Sequence, residues 1–172
     1  MSHELEVEAG GQVEAAGQLE AAGQDAEFAA TLGRVAAEVL ETMFFTEAVA
    51  VDCEHGWLSD ALAVRVDFDG SHFGEMWLAL TPAAIPSIAS AFLGLEPEET
   101  GEEQRAQVIL ELANILCGAV LSSLWPESRL LLDAPKLTPW ECPDEGVWHC
   151  CLALDEGALA ISIRLAGVKE LV

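Results

Sequence analysis

The sequence predicts an α+β fold: an antiparallel sheet of about six strands packed against long helices, built from two pseudo-symmetric αβββ-type halves. Three observations predict it. Asp69-Gly70 separates two β-rich runs and is the strongest short hairpin signal in the chain. Two segments, 28–45 and 102–124, carry helical periodicity without an internal proline. The order helix, strand, hairpin, helix is followed by helix, strand, hairpin, as a duplicated unit would give.

Taken in order, residues 11–27 repeat a six-residue unit, Gly-Gln-Val-Glu-Ala-Ala followed by Gly-Gln-Leu-Glu-Ala-Ala and Gly-Gln-Asp-Ala-Glu. Glycine every sixth residue opposes a stable helix and apolar content is low, so residues 1–27 are expected to form an acidic low-complexity tail. Folded sequence should begin near Phe28, with a domain over 28–172. The helix from Phe28 to Phe45 leads into a β-branched strand, Ala48 to Cys53. Ala61 to Phe68 and His72 to Leu80 form the hairpin. Thr81 and Pro82 are expected as N-cap and first residue of a helix that ends at Gly94, with Pro86 tolerated in its first turn. An acidic connection leads to the long helix, about Glu102 to Leu124, stopped by Pro126. Leu130 to Trp140 should be extended, and Val147 to Leu154 should pair with Leu159 to Leu165 across a turn at Gly157.

With 172 residues and 52% apolar composition, one core and one domain are expected. A formal net charge of −23 repels nucleic acid and anionic lipid surfaces, which argues against both as partners. Glu4, Glu6 and Glu8 stand where a signal peptide would be cationic and then apolar, and the apolar run Ile115 to Trp125 is about half of a bilayer span. A cytoplasmic protein without membrane insertion is therefore expected. Five cysteines, Cys53, Cys117, Cys142, Cys150 and Cys151, have no paired-ligand spacing, and an odd count suits a reduced compartment better than a disulfide framework. They are most simply small buried hydrophobes. Cys53, His55, His149 and Cys150 could be assembled into a zinc site, but no CxxC or HxxxH element supports one.

The chemistry lies on the long helix. At 100° per residue, Gln104, Gln107, Glu111, Asn114, Gly118 and Ser122 fall on one narrow stripe of an otherwise apolar rod. Glu111 and Asn114, three residues apart, project together, so that an acid and a carboxamide can address one target; Gly118 leaves room for another protein's backbone. The plain alternative is the exposed seam of a core helix. Shifting by 73 residues superposes Glu38-Val39-Leu40-Glu41 on Glu111-Leu112-Ala113-Asn114. There Glu41 replaces the carboxamide and Phe45 the glycine, and a carboxylate would repel a phosphoryl oxygen. One working site, on the second helix, is expected.

At Gln107, Glu111 and Asn114, with Asn114-Ile115-Leu116-Cys117-Gly118 as continuation, the chain resembles the CheC/CheX/FliY chemotaxis phosphatases, and the CheX branch most. Val39-Leu40-Glu41-Thr42-Met43-Phe44 is similar to the start of CheX-type domains. Two positions depart from the family pattern: Gln107 stands where the family prefers Asp or Ser, and neither Pro135 nor Pro139 has its usual spacing from Asn114. The resemblance implies hydrolysis of the aspartyl phosphate on a phosphorylated CheY-like response regulator. Glu111 and Asn114 would be the catalytic pair, Asn114 orienting water and Glu111 pairing with the receiver's lysine, while Gln107 and Gly118 would contact the partner. It implies no metal or cofactor of the chain's own, Mg2+ on the receiver, and a homodimer through the sheet edge. The alternatives are a non-catalytic receiver-binding module and a flagellar-switch-type assembly module. No G-x-S-x-G or phosphate-cradling glycine loop points to a nucleophilic hydrolase.

Overall fold

The computed structural model describes residues 5–54, 56–141 and 147–170, and of residues 5–22 the backbone alone. It is an α+β fold in which three helices, α1 (Leu5–Phe44), α2 (Ala84–Leu93) and α3 (Glu102–Leu124), pack on a seven-stranded antiparallel sheet. The strands are β1 (Ala48–Val51), β2 (Leu62–Gly70), β3 (His72–Leu80), β4 (Leu130–Leu132), β5 (Lys136–Thr138), β6 (Trp148–Leu154) and β7 (Ala158–Val168). Their order is β1-β6-β7-β3-β2-β4, with β5 also paired to β2. This connectivity reads alike from either edge when β1, β6 and β7 are exchanged with β4, β2 and β3.

Alternation along the strands makes two faces. Val64, Val66, Phe68, Met76, Leu78, Leu80, Leu159, Ile161 and Ile163 bury under the helices. Against them come Leu32, Val35, Ala36, Leu40 and Phe44 of α1 and Ile109, Leu112, Leu116 and Val120 of α3. The opposite face carries small residues. Ala79, Ala160 and Cys151 form a second buried cluster, covered by Leu58 and Ala61 of the β1–β2 connection and by Trp140. Beside it, nearly buried Glu75 pairs with both Arg65 and Arg164.

Several elements differ from expectation. Helix α1 begins at Leu5, so the glycine-bearing repeat is helical. Between its glycines stand Ala, Glu, Gln and Leu, the strongest helix formers, and they outweigh a penalty of about 1 kcal/mol at each glycine. The first described side-chain contacts of this helix also precede Phe28 slightly: Trp148 Nε1 donates to Asp25 and its ring stacks on Phe28. Thr81 does not cap α2. Its hydroxyl accepts from the Ala158 amide, and α2 starts at Ala84 after a turn. The other end is as expected, with Gly94 left-handed at φ 66°.

The 130–140 stretch is broken into β4 and β5 by Asp133-Ala134-Pro135, because both short strands pair with the same edge of β2 and the chain must step between them. Helix α3 is long and apolar enough to cross a membrane, an 18-residue window of it reaching a mean hydropathy of 1.7, which the run 115–125 alone did not reveal. Its apolar faces are instead taken up by α1, α2 and β2. The cysteines divide. Cys117 and Cys150 are free, and burial pushes both thiols up to about 12. Cys53 and Cys151 are joined in a disulfide, against the expectation for all five. The two are 98 residues apart, and only the pairing of β1 with β6 brings them together. Cys142 and His55 lie outside the described residues.

Candidate functional site

Helix α3 is fixed from its first turn. Gln104 reaches back to accept from the Gly101 amide, and Arg105 donates to the Thr100 hydroxyl and the Pro97 carbonyl. From this start, 3.6-residue periodicity buries Val108, Ile109, Leu112, Ala113, Leu116, Cys117, Val120 and Leu121. Gln104, Gln107, Glu111 and Ser122 are left exposed, and Asn114 and Gly118 half-buried. The polar stripe expected from the sequence is therefore the solvent-facing seam of a core helix.

Gln107, Glu111 and Asn114 line one cleft of about 420 Å3, whose other wall is Leu132, Asp133, Ala134 and Pro135. That wall is held by the sheet: β4 pairs with the end of β2, and the Asp133 amide donates to the Asp67 carbonyl at 2.9 Å. The step between β4 and β5 thus stands beside α3 on a backbone that β2 pins. Gly118 lies one turn beyond the cleft, where an added Cβ would meet only Leu132 Cδ1, at 3.9 Å. Sequence reasoning missed Asp133, because nothing marks it until β4 and β5 share an edge. It did weigh Pro135 for its spacing, and the fold puts Pro135 opposite Asn114 across the cleft.

The cleft holds two acids and two carboxamides, and among the described residues no basic side chain lines it. Such a set can attract a cation and can direct hydrogen bonds at an uncharged or anionic group through Asn114 and Gln107, which both donate and accept. Among the described residues, its lining has no thiol, hydroxyl or amine nucleophile. Cys117, on the same helix, is buried away from it with its thiol held protonated.

The corresponding seam of α1 is built differently. Arg34 pairs with Glu38 and donates to Ser123 of α3, so two of its polar groups are engaged within the protein. Glu41 is exposed, and Phe45, 77% exposed, occupies the place that Gly118 leaves open on α3. The zinc set considered from sequence is only partly assembled: Cys53 and His149 come together with Cys151, while Cys150 turns toward the core.

A family model described as the chemotaxis phosphatase CheX matches residues 62–138, which run from β2 through both walls of the cleft to β5. In that segment and in its fold, the chain is similar to the CheC/CheX/FliY proteins, and to CheX in particular. Solved CheX structures share its fold. A CheX from Desulfovibrio desulfuricans superposes with a TM-score of 0.65 at 14% identity, covering 81% of this chain and 99% of that one. CheX from Vibrio vulnificus gives 0.65 at 18%, covering 82% and 97%. The CheX of a CheX–CheY–BeF3–Mg2+ complex from Borrelia burgdorferi gives 0.59 at 16%, covering 80% and 96%. No curated protein matches the chain in sequence. The acid and carboxamide stand on α3, at Glu111 and Asn114, while the corresponding place on α1 holds Glu41.

Proposed function

We propose that the protein hydrolyses the aspartyl phosphate of a CheY-like receiver domain, with Asn114 placing the attacking water and Glu111 pairing with a lysine of the receiver. The observation that carries this reading is that Glu111 and Asn114 stand together in one cleft on the solvent seam of a buried helix, neither side chain hydrogen-bonded or ion-paired to another of the described residues. The family's description as chemotaxis phosphatases and the Borrelia CheX–CheY complex support it.

The chemistry asks little of the chain. In an acyl phosphate the carboxylate is a good leaving group, so water forms the new O–P bond as the O–P bond to the aspartyl oxygen breaks, and the rate depends on alignment. Asn114 suits that task because its oxygen can accept from the water while its nitrogen donates to a phosphoryl oxygen, and it brings no charge. Glu111, one turn earlier, would meet the receiver's lysine and fix the docking angle. Mg2+ would belong to the receiver, where it neutralises the transferring group, and the protein would act in the cytoplasm beside that partner. An acidic cleft repels an acidic receiver pocket at long range, so Glu111 must earn its place at contact by ion pairing.

The test follows phosphate loss from a phosphorylated receiver with Mg2+. Asn114→Ala should lower the rate about a hundredfold or more, as loss of a positioning group does. Glu111→Ala should weaken docking, and Glu41→Ala should change little. Equal decay with wild type and Asn114→Ala would refute hydrolysis by this site. Binding of the receiver without decay would then point to the non-catalytic reading that Gln107, in place of an acid, favours.

A further inference from the structure

On the face of the sheet away from α3, Cys53, His149 and Cys151 place their ligand atoms within 4.8 Å of one another. We propose that, once the Cys53–Cys151 bond is reduced, these three side chains bind one zinc-class divalent ion and leave a fourth, solvent-facing position open. The inference is independent of the phosphatase reading.

The geometry is specific. A tetrahedral zinc with Zn–S of about 2.3 Å and Zn–N of about 2.05 Å sets its sulfur and nitrogen ligands about 3.6 Å apart. Cys151 Sγ lies 3.6 Å from His149 Nε2. The other ring nitrogen is also in place, with Nδ1 2.8 Å from the hydroxyl of Ser162, which is 1% exposed. With Nδ1–H donating to that oxygen, the Nε2 lone pair points toward the sulfur, the outer-shell arrangement by which proteins orient a metal-binding imidazole. The Ser162 contact is supplied by a neighbouring strand, since His149 and Ser162 are directly opposite in the β6–β7 pairing. Only Cys53 has to move, from bonding distance to about 3.8 Å from Cys151 Sγ for the same tetrahedron. It sits just past the end of β1, in the connection to β2, where the backbone is free of ladder bonds.

An entry path exists. A cleft of about 640 Å3 between α1, at Gly33 and Ala37, and the β1–β6 edge is also lined by all three ligand residues, so the cluster is reached from that edge. The donor set of two thiolates and one imidazole matches zinc in preference to magnesium or calcium, which take oxygen ligands. The steps balance. A phosphine reductant supplies two electrons to the disulfide, which takes up two protons to give two thiols, and Zn2+ binding then releases those two protons as both sulfurs become thiolates.

The full-length chain, reduced anaerobically with a phosphine, would be titrated with Zn2+ and separately with Co2+. One equivalent of zinc should bind with release of about two protons, and Co2+ should give a thiolate charge-transfer band in the near ultraviolet. Cys53→Ser, Cys151→Ser and His149→Ala should each abolish tight binding, while Cys150→Ser keeps it. Ser162→Ala should weaken it about 10–100-fold, because only the orienting contact is lost. This conservative variant and Cys53→Ser, which alters a connection rather than a strand, keep the test decisive if His149→Ala does not fold. Failure of the reduced wild type to bind zinc would overturn the site, as would undiminished affinity in His149→Ala.

Discussion

Two mid-helix glycines, Gly33 on α1 and Gly118 on α3, make a paired experiment. An added Cβ would meet only Ala50 Cβ at 3.9 Å from Gly33, and only Leu132 Cδ1 at 3.9 Å from Gly118, both ordinary contacts. Neither position has a positive φ. Replacing either by alanine therefore removes the backbone-entropy penalty of glycine in a helix, about 0.8–1.0 kcal/mol, without a clash. For a chain of this size each should raise Tm by about 2–4 °C. Function should separate them. Gly33 is buried between α1 and β1, so Gly33→Ala should leave receiver turnover unchanged. Gly118 is half-exposed one turn from Asn114; if a receiver's backbone packs there, an extra methyl costs about 1–3 kcal/mol. That corresponds to a rise in KM of roughly 5- to 150-fold, at 1.36 kcal/mol per decade, with kcat little changed. Scanning calorimetry and steady-state dephosphorylation measure the two effects on the same samples. A fall in Tm for Gly118→Ala would refute the packing argument, and an unchanged KM would remove Gly118 from the docking surface.

Two further substitutions probe how the scaffold holds the cleft. Gly157, at φ 82° in the β6–β7 turn, would bring a Cβ to within 2.9 Å of the Ala84 amide nitrogen, and an L-residue is strained there in any case. Gly157→Ala should lose about 2–3 kcal/mol, seen as a lower urea midpoint. Leu116, fully buried on the inner side of α3, should lose about 2–5 kcal/mol as alanine, with the urea midpoint falling and the m-value unchanged.

What could be read in the sequence is what local rules determine. The 3.6 periodicity and Pro126 gave α3 its bounds, and the same periodicity separated Glu111 and Asn114 from the buried residues between them. Asp69-Gly70 and Gly157 located two hairpins because positive φ is a local demand. The failures are nonlocal. Thr81 looks like a cap in its own neighbourhood, but its hydroxyl is claimed by Ala158, 77 residues away. Leu130 to Trp140 has the composition of one strand, yet sharing the β2 edge divides it, and that division builds the second wall of the cleft. The joining of Cys53 to Cys151 instead of burial apart depends wholly on β1 lying beside β6.

Strand order also determines what the two proposed sites can do to each other. The cleft stands at the β4 edge on the helical face, and the sulfur–histidine cluster stands at the β1 edge on the opposite face. Between those edges run β6, β7, β3 and β2, so five inter-strand steps of about 4.8 Å set them about 24 Å apart. A charge on bound zinc would be largely screened over that distance in physiological salt. Mechanical coupling would have to pass through α1, which packs on β6 and β1 and also on α3, where Arg34 holds Ser123. Arg34 is exposed, and its single bond of 3.3 Å to Ser123 is a weak link. Reduction and zinc loading should therefore leave receiver dephosphorylation unchanged. A change in kcat on adding zinc that Arg34→Ala abolishes would show instead that α1 carries a signal between the edges.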